Sequence, residues 1–139
     1  MRRQTTETKM IDHLTLLVSD YAASKAFYLA VLERLGYGIA KVVSRAEVPH
    51  MPFDEVCGFG AGAKPTLWLR PSATVQPTHV AIVAKDRAAV RAFHAAAVAA
   101  GARDNGAPGP RPEYHPGYYG AFVLDPDGYN LEAACHRPE

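Results

Sequence analysis

The chain has 139 residues, 48% of them hydrophobic and 21% charged, with a formal net charge of +1 and two cysteines. That length and mix suit one packed domain and exclude a fibrous or low-complexity chain. The scattered Lys and Arg residues exclude an electrostatic footprint for nucleic acid, and no segment approaches the ~18 apolar residues of a membrane span.

The opening MRRQTTETK is polar, and residues 1 to 10 read as a mobile tail. From His13 the residues alternate between two faces, with Leu14, Leu16 and Val18 on one side and His13, Thr15 and Leu17 on the other, which predicts a strand. Asp20 can cap a following helix. Ala23, Phe27, Ala30 and Val31 recur at helical spacing along it, and Gly36 is a natural stop. Strands are expected near Ile39 to Val43, Glu55 to Phe59 and Thr66 to Arg70. Pro71 to Pro77 reads as a linker.

The pattern then repeats. Moving by 66 positions (79 − 13) lays HLTLLVSDYAASKAFYLA, from His13, on HVAIVAKDRAAVRAFHAA, from His79, with seven identities in eighteen positions. These include both histidines, Asp20 with Asp86 and Phe27 with Phe93. A strand from His79, a helix capped by Asp86 and ended by Gly101, and strands near Ala102 to Asp104 and Tyr119 to Leu124 follow. Asp125-Pro126-Asp127-Gly128 then makes a tight turn into a last strand, Tyr129 to Cys135. Each half reads strand, helix, three strands.

A histidine opening each copy, with DPDGYNLEA near the end, resembles the vicinal oxygen chelate superfamily of glyoxalases, extradiol dioxygenases and bleomycin-resistance proteins. The resemblance covers residues 11 to 136 and implies an α+β fold of two tandem βαβββ modules, 11–70 and 78–136, whose curved mixed sheets form a cup. It implies one divalent metal ion held by His13, His79 and Glu132, with nothing but Thr66, Leu67, Trp68 and Leu69 at the remaining ligand position. Parity adds support of its own: Asn130, Glu132 and Ala134 share one face of the last strand, and an acid amid NLEAAC needs a partner. Two histidines and a carboxylate suit Fe2+, while Zn2+, Ni2+ or Mn2+ accept the same donors.

Around that metal, Glu132, His115 and Tyr119 are the expected catalytic groups, His115 as a proton shuttle and Tyr119 as a donor to a substrate oxygen. Trp68, Tyr118 and Arg111 are expected to line the substrate pocket, with packing an equal reading for Tyr118. His94 reads as a helix-surface residue, His136 as solvated, and His50 as a loop residue without a role. Gly58 to Lys64 does not match a phosphate loop, because the G-x-x-x-x-G-K-[ST] spacing is missing. A metal-dependent lyase or oxidoreductase acting on a small oxygenated substrate is therefore expected, with a non-catalytic, drug-sequestering module as the alternative. The resemblance also implies a homodimer. Cys57 and Cys135, without a C-x-x-C pair, suit a reducing, cytoplasmic setting.

Overall fold

A computed structural model of the chain describes residues 10–138. The tail expectation thus falls, for residues 1–9, outside the described residues. Two copies of one unit follow in order: β1 (Leu14–Val18), α1 (Tyr21–Glu33), β2 (Gly38–Ser44), β3 (Glu55–Gly60) and β4 (Leu67–Pro71), then β5 (His79–Val83), α2 (Arg87–Ala99), β6 (Arg103–Pro110), β7 (Tyr119–Leu124) and β8 (Asn130–Cys135). The two sheets share one topology, β1-β4-β3-β2 and β5-β8-β7-β6. In each, the first strand runs parallel to the last of its unit, and the remaining neighbours are antiparallel. The duplication written in the sequence is thus a duplication of architecture.

Both helices start as their sequence suggests. The Asp20 carboxylate accepts from the Ala23 amide at 3.1 Å and that of Asp86 from the Ala89 amide at 2.8 Å, each satisfying one of the free N–H groups of a first turn. Gly36 and Gly101, at φ +89° and +98°, turn the chain away afterwards in a conformation other residues rarely adopt. The buried stripe of α1 differs from the expected one: Ser24, Phe27, Tyr28, Val31 and Leu32 are buried, whereas Ala23 and Ala30 face solvent. Larger side chains at the neighbouring positions bury more apolar area, which rotates the helix toward them.

The sixth strand is longer than the expected Ala102 to Asp104. It continues to Pro110 through Asn-Gly-Ala-Pro-Gly, with register shifts on either side of Gly106. It lies at the edge of its sheet, where bulges and a missing proline N–H are tolerated.

The modules are joined by side chains of the Asp-Pro-Asp-Gly turn, a role beyond that of a hairpin. Asp125 is buried and accepts from the Tyr28 hydroxyl of the first module, while its other oxygen takes the Asp127 and Tyr129 amides at 2.9 Å each. Asp127 binds the hydroxyl of Ser19 and, at 3.0 Å, its amide. The Tyr129 hydroxyl donates to the Leu17 carbonyl at 2.8 Å, and the Tyr37 hydroxyl donates to the Val83 carbonyl at 2.8 Å. Leu17 and Val83 are equivalent positions of the two copies. Among the described residues no helix is long and apolar enough to cross a membrane.

Candidate metal centre and adjoining cavity

The register of the second sheet brings His79 and Glu132 together. Ala81 stands beside Glu132 in the parallel pair, so the His79 side chain, two residues earlier on the same face, reaches across. Its Nε2 lies 2.7 Å from Glu132 Oε1. Glu132 is 2% exposed, a buried carboxylate of the kind that must be compensated. Its second oxygen accepts from the Tyr118 hydroxyl. Burial, and then the Glu132 carboxylate, push the Tyr118 hydroxyl well above its ordinary pKa, so it stays protonated and able to donate.

Two neighbours shape this pair. Phe122 stands opposite Glu132 in β7, its ring centroid 6.0 Å from that of His79, and the Arg111 guanidinium covers the same ring at 5.5 Å. Arg111 is itself held by the carbonyls of Ala107, at 2.8 Å, and Gly109, at 2.9 Å. Gly120 leaves the room that Tyr118 and Glu132 occupy: a Cβ there would lie 3.1 Å from Glu132 Oε2 and 3.2 Å from the Tyr118 ring. Phe122 and Gly120 escaped the sequence reading, although both, on β7, share the parity of Tyr118 just before it.

The other expected residues fall in different places. Tyr119 is turned away. It pairs with Cys135, on the helix side of the sheet, is 7% exposed, and carries the Arg87 guanidinium over its ring at 4.8 Å. The hydroxyl that stands on the Glu132 face is that of Tyr118, one residue earlier, because adjacent residues of an extended chain face opposite ways. His115 packs on the Tyr118 ring, with centroids 5.3 Å apart. His136 is exposed but not merely solvated: its Nδ1 lies 2.9 Å from His115 Nε2, and the two rings stack. His94, half-buried on α2, is hydrogen-bonded to Asp104 at 2.9 Å. His50 is exposed in the loop after β2.

His13 stands apart from His79 and Glu132 within the chain. Its Nδ1 lies 2.6 Å from Asp12 Oδ1, and Asp12 also meets Lys64 at 2.9 Å; hydrogen bonds from His13 and Lys64 hold the Asp12 carboxyl below its usual range. Among the described residues no three His, Cys, Asp or Glu side chains converge in a geometry that could hold a metal ion. His13 instead lines a cavity of about 300 Å3 on the open face of the first sheet, with Thr15, Val43, Met51, Phe53, Trp68 and Arg70. His79 lines a separate cavity of about 270 Å3 at the seam between β1 and β5.

The register also shows which first-module residue stands at the position equivalent to Glu132. Thr15 stands beside Trp68 as Ala81 stands beside Glu132, so Trp68 occupies in the first module the place of Glu132 in the second. Gly58 faces Trp68 as Phe122 faces Glu132. A Cβ at Gly58 would come within 2.9 Å of the indole and 2.6 Å of Pro65, so the missing side chain is what seats the tryptophan.

Comparison with known proteins gives the same architecture. The family model for the Glyoxalase/Bleomycin resistance protein/Dioxygenase superfamily matches residues 10–133. Among solved structures, a glyoxalase/bleomycin resistance protein from Albidiferax ferrireducens T118 is 26% identical, with a TM-score of 0.69, covering 91% of this chain and 98% of that one. A family enzyme from Burkholderia phytofirmans PsJN, at 21% identity and a TM-score of 0.63 over 90% of this chain and 97% of that one, shares the fold. A glyoxalase I variant from Zea mays is 24% identical with a TM-score of 0.66, but the match covers 89% of this chain and only 46% of the maize chain. No curated protein sequence matches. With the matched model spanning both modules, the chain belongs to the glyoxalase/bleomycin resistance protein/dioxygenase superfamily.

Proposed function

We propose that this chain is a cytoplasmic, metal-dependent enzyme acting on a small substrate with neighbouring oxygens, and that its working site is shared by two copies. The single observation carrying this reading is the buried Glu132 carboxylate, set 2.7 Å from the imidazole of His79 on an open sheet face. That donor chemistry fits a divalent ion such as Fe2+, Zn2+, Ni2+ or Mn2+. His13 is the third donor, and since it lines a different cavity in its own chain, it is supplied by the second copy of a homodimer. The same reading takes 11–136 as one domain, with modules 11–70 and 78–136.

When bound, the ion supplies Lewis acidity to the substrate oxygens, the basis of either lyase-like or dioxygenase-like chemistry. The chain's own groups do the rest. Tyr118 fixes one Glu132 oxygen by its hydroxyl, leaving the other directed at His79. Phe122, under Arg111, supports the imidazole from the side. His115, with Nδ1 donating to the Pro116 carbonyl and Nε2 facing His136, packs edge-on to the Tyr118 ring and is the proton shuttle between a bound substrate and solvent.

A second reading, a ligand-sequestering module without catalysis, is favoured by Trp68 standing where the other module has its acid. Metal analysis of protein purified without chelator separates the two. Wild type is expected to hold metal, and His13→Ala and the double variant His79→Ala/Glu132→Gln to hold none. Co-expressing those two variants rebuilds one complete site per mixed dimer. Metal recovered only in the mixture supports the shared site; wild type without metal ends the enzyme reading.

A further inference from the structure

The cavity on the first sheet has an unusual mixture of walls. Val43, Met51, Phe53, Val56 and Trp68 make it apolar, while Arg70 places a guanidinium at its edge. Arg70 is exposed, two residues beyond Trp68 and on the same strand face, and its guanidinium lies 5.1 Å over the Phe53 ring. Among the described residues no carboxylate is paired with it. Its charge is therefore oriented by an aromatic face but not neutralised, which leaves its fork of N–H donors for a planar anion.

Trp68 contributes the second half of the argument. The indole is half-buried, seated on Gly58 and flanked by Thr15, so one flank faces the cavity as a rigid platform. At about 300 Å3 the space is at the lower end of the ~300–1,000 Å3 of small-molecule sites, room for one ring and its substituents. His13 marks the end of the cavity at which, resting on the reading above, the metal would stand.

We propose that this cavity binds a small organic carboxylate with a flat apolar body, the carboxylate on Arg70 and the body between Trp68, Phe53 and Met51. An acid loses its hydration on entry, and a bidentate guanidinium restores the lost hydrogen bonds; an uncharged amide of the same shape cannot draw on the charge. Specificity for the acid therefore resides in Arg70, and tolerance for the ring in Trp68.

Trp68 is the only tryptophan of the chain, so its emission reports on this cavity. Chelator-treated protein should be titrated with phenylacetate and with phenylacetamide, its uncharged isostere. The acid is expected to bind at least about tenfold more tightly, Arg70→Gln to abolish that preference, and Arg70→Lys to keep part of it. Equal binding of acid and amide by wild type, or a preference that survives Arg70→Gln, overturns the proposal. Because the titration is done without metal, acid-selective binding in a protein that retains no metal would leave this pocket standing and end the metal reading; metal retention without acid selectivity would do the reverse.

Discussion

The phenol of Tyr28, in the first helix, is hydrogen-bonded to the carboxylate of Asp125, in the turn that opens the last hairpin, 97 residues away. Both side chains are buried. The bond ties the two copies of the duplicated unit together at the point where their helices and turn meet. It is also the best-defined place at which to separate the modules energetically.

Replacing Tyr28 by Phe keeps the ring and removes the only side-chain donor to Asp125 Oδ2 among the described residues. A buried carboxylate oxygen left short of a partner costs about 1–3 kcal/mol. Urea denaturation is expected to show a loss of that size with an unchanged slope. An unchanged midpoint would mean that water replaces the phenol without penalty.

Asp125 gives the protein a pH dependence whose sign follows from its burial. Burial raises its carboxyl above the ordinary 3.8, against the opposing hydrogen bonds of Tyr28 and of the Tyr129 and Asp127 amides. The folded chain thus holds this proton more tightly than the unfolded chain, and the contribution of the group to stability is full below its unfolded pKa and lost as pH rises through the folded one. Asp125→Asn does not titrate. The stability of wild type relative to this variant, from denaturation at a series of pH values, is expected to be greatest in acid and to decline above about 3.8. A difference that grows with pH would contradict the assignment.

On the proposed metal site, Tyr118 would act through Glu132, whose second oxygen its hydroxyl holds. Tyr118→Phe removes the donor to one carboxylate oxygen but leaves the side chains of Glu132 and His79 in place. Loss of such a supporting hydrogen bond lowers metal affinity by about 10–100-fold. Competition with a chromophoric chelator measures it. Tyr119→Phe, altered on the opposite side of the sheet, is expected to leave affinity unchanged.

Gly58→Ala tests the seat of Trp68. The added methyl would lie 2.6 Å from the Pro65 Cβ and 2.9 Å from the indole, so the ring must move. Overpacking of this kind costs about 1–3 kcal/mol. Denaturation should register the loss and tryptophan emission a shift to the red as the indole becomes more exposed. Unchanged emission would show that Pro65 alone gives way.

The duplicated architecture was legible because a repeat shows in identity and in alternation at once: His13 with His79, Asp20 with Asp86, and the strand parity of Leu14 to Val18. Parity likewise put Glu132 on the face shared with His79. It failed at Tyr118-Tyr119, where the start of β7 decides which ring faces the acid and the sequence offers two equal choices. The Gly-rich edge strand β6 had no alternation to read. Arg70 over Phe53, and the grip of Tyr28 on Asp125, join segments distant along the chain, and only the curvature of the sheets and the docking of the modules bring them together.

The two tyrosine hydroxyls on the Leu17 and Val83 carbonyls occupy equivalent points on the outermost strands β1 and β5, where an incoming strand would otherwise find an acceptor. Each module thereby blunts the margin of the other. The duplication thus carries a mutual safeguard: a chain whose halves come undocked loses both plugs together and bares two ladders ready for promiscuous pairing, so aggregation should track separation of the halves rather than global unfolding.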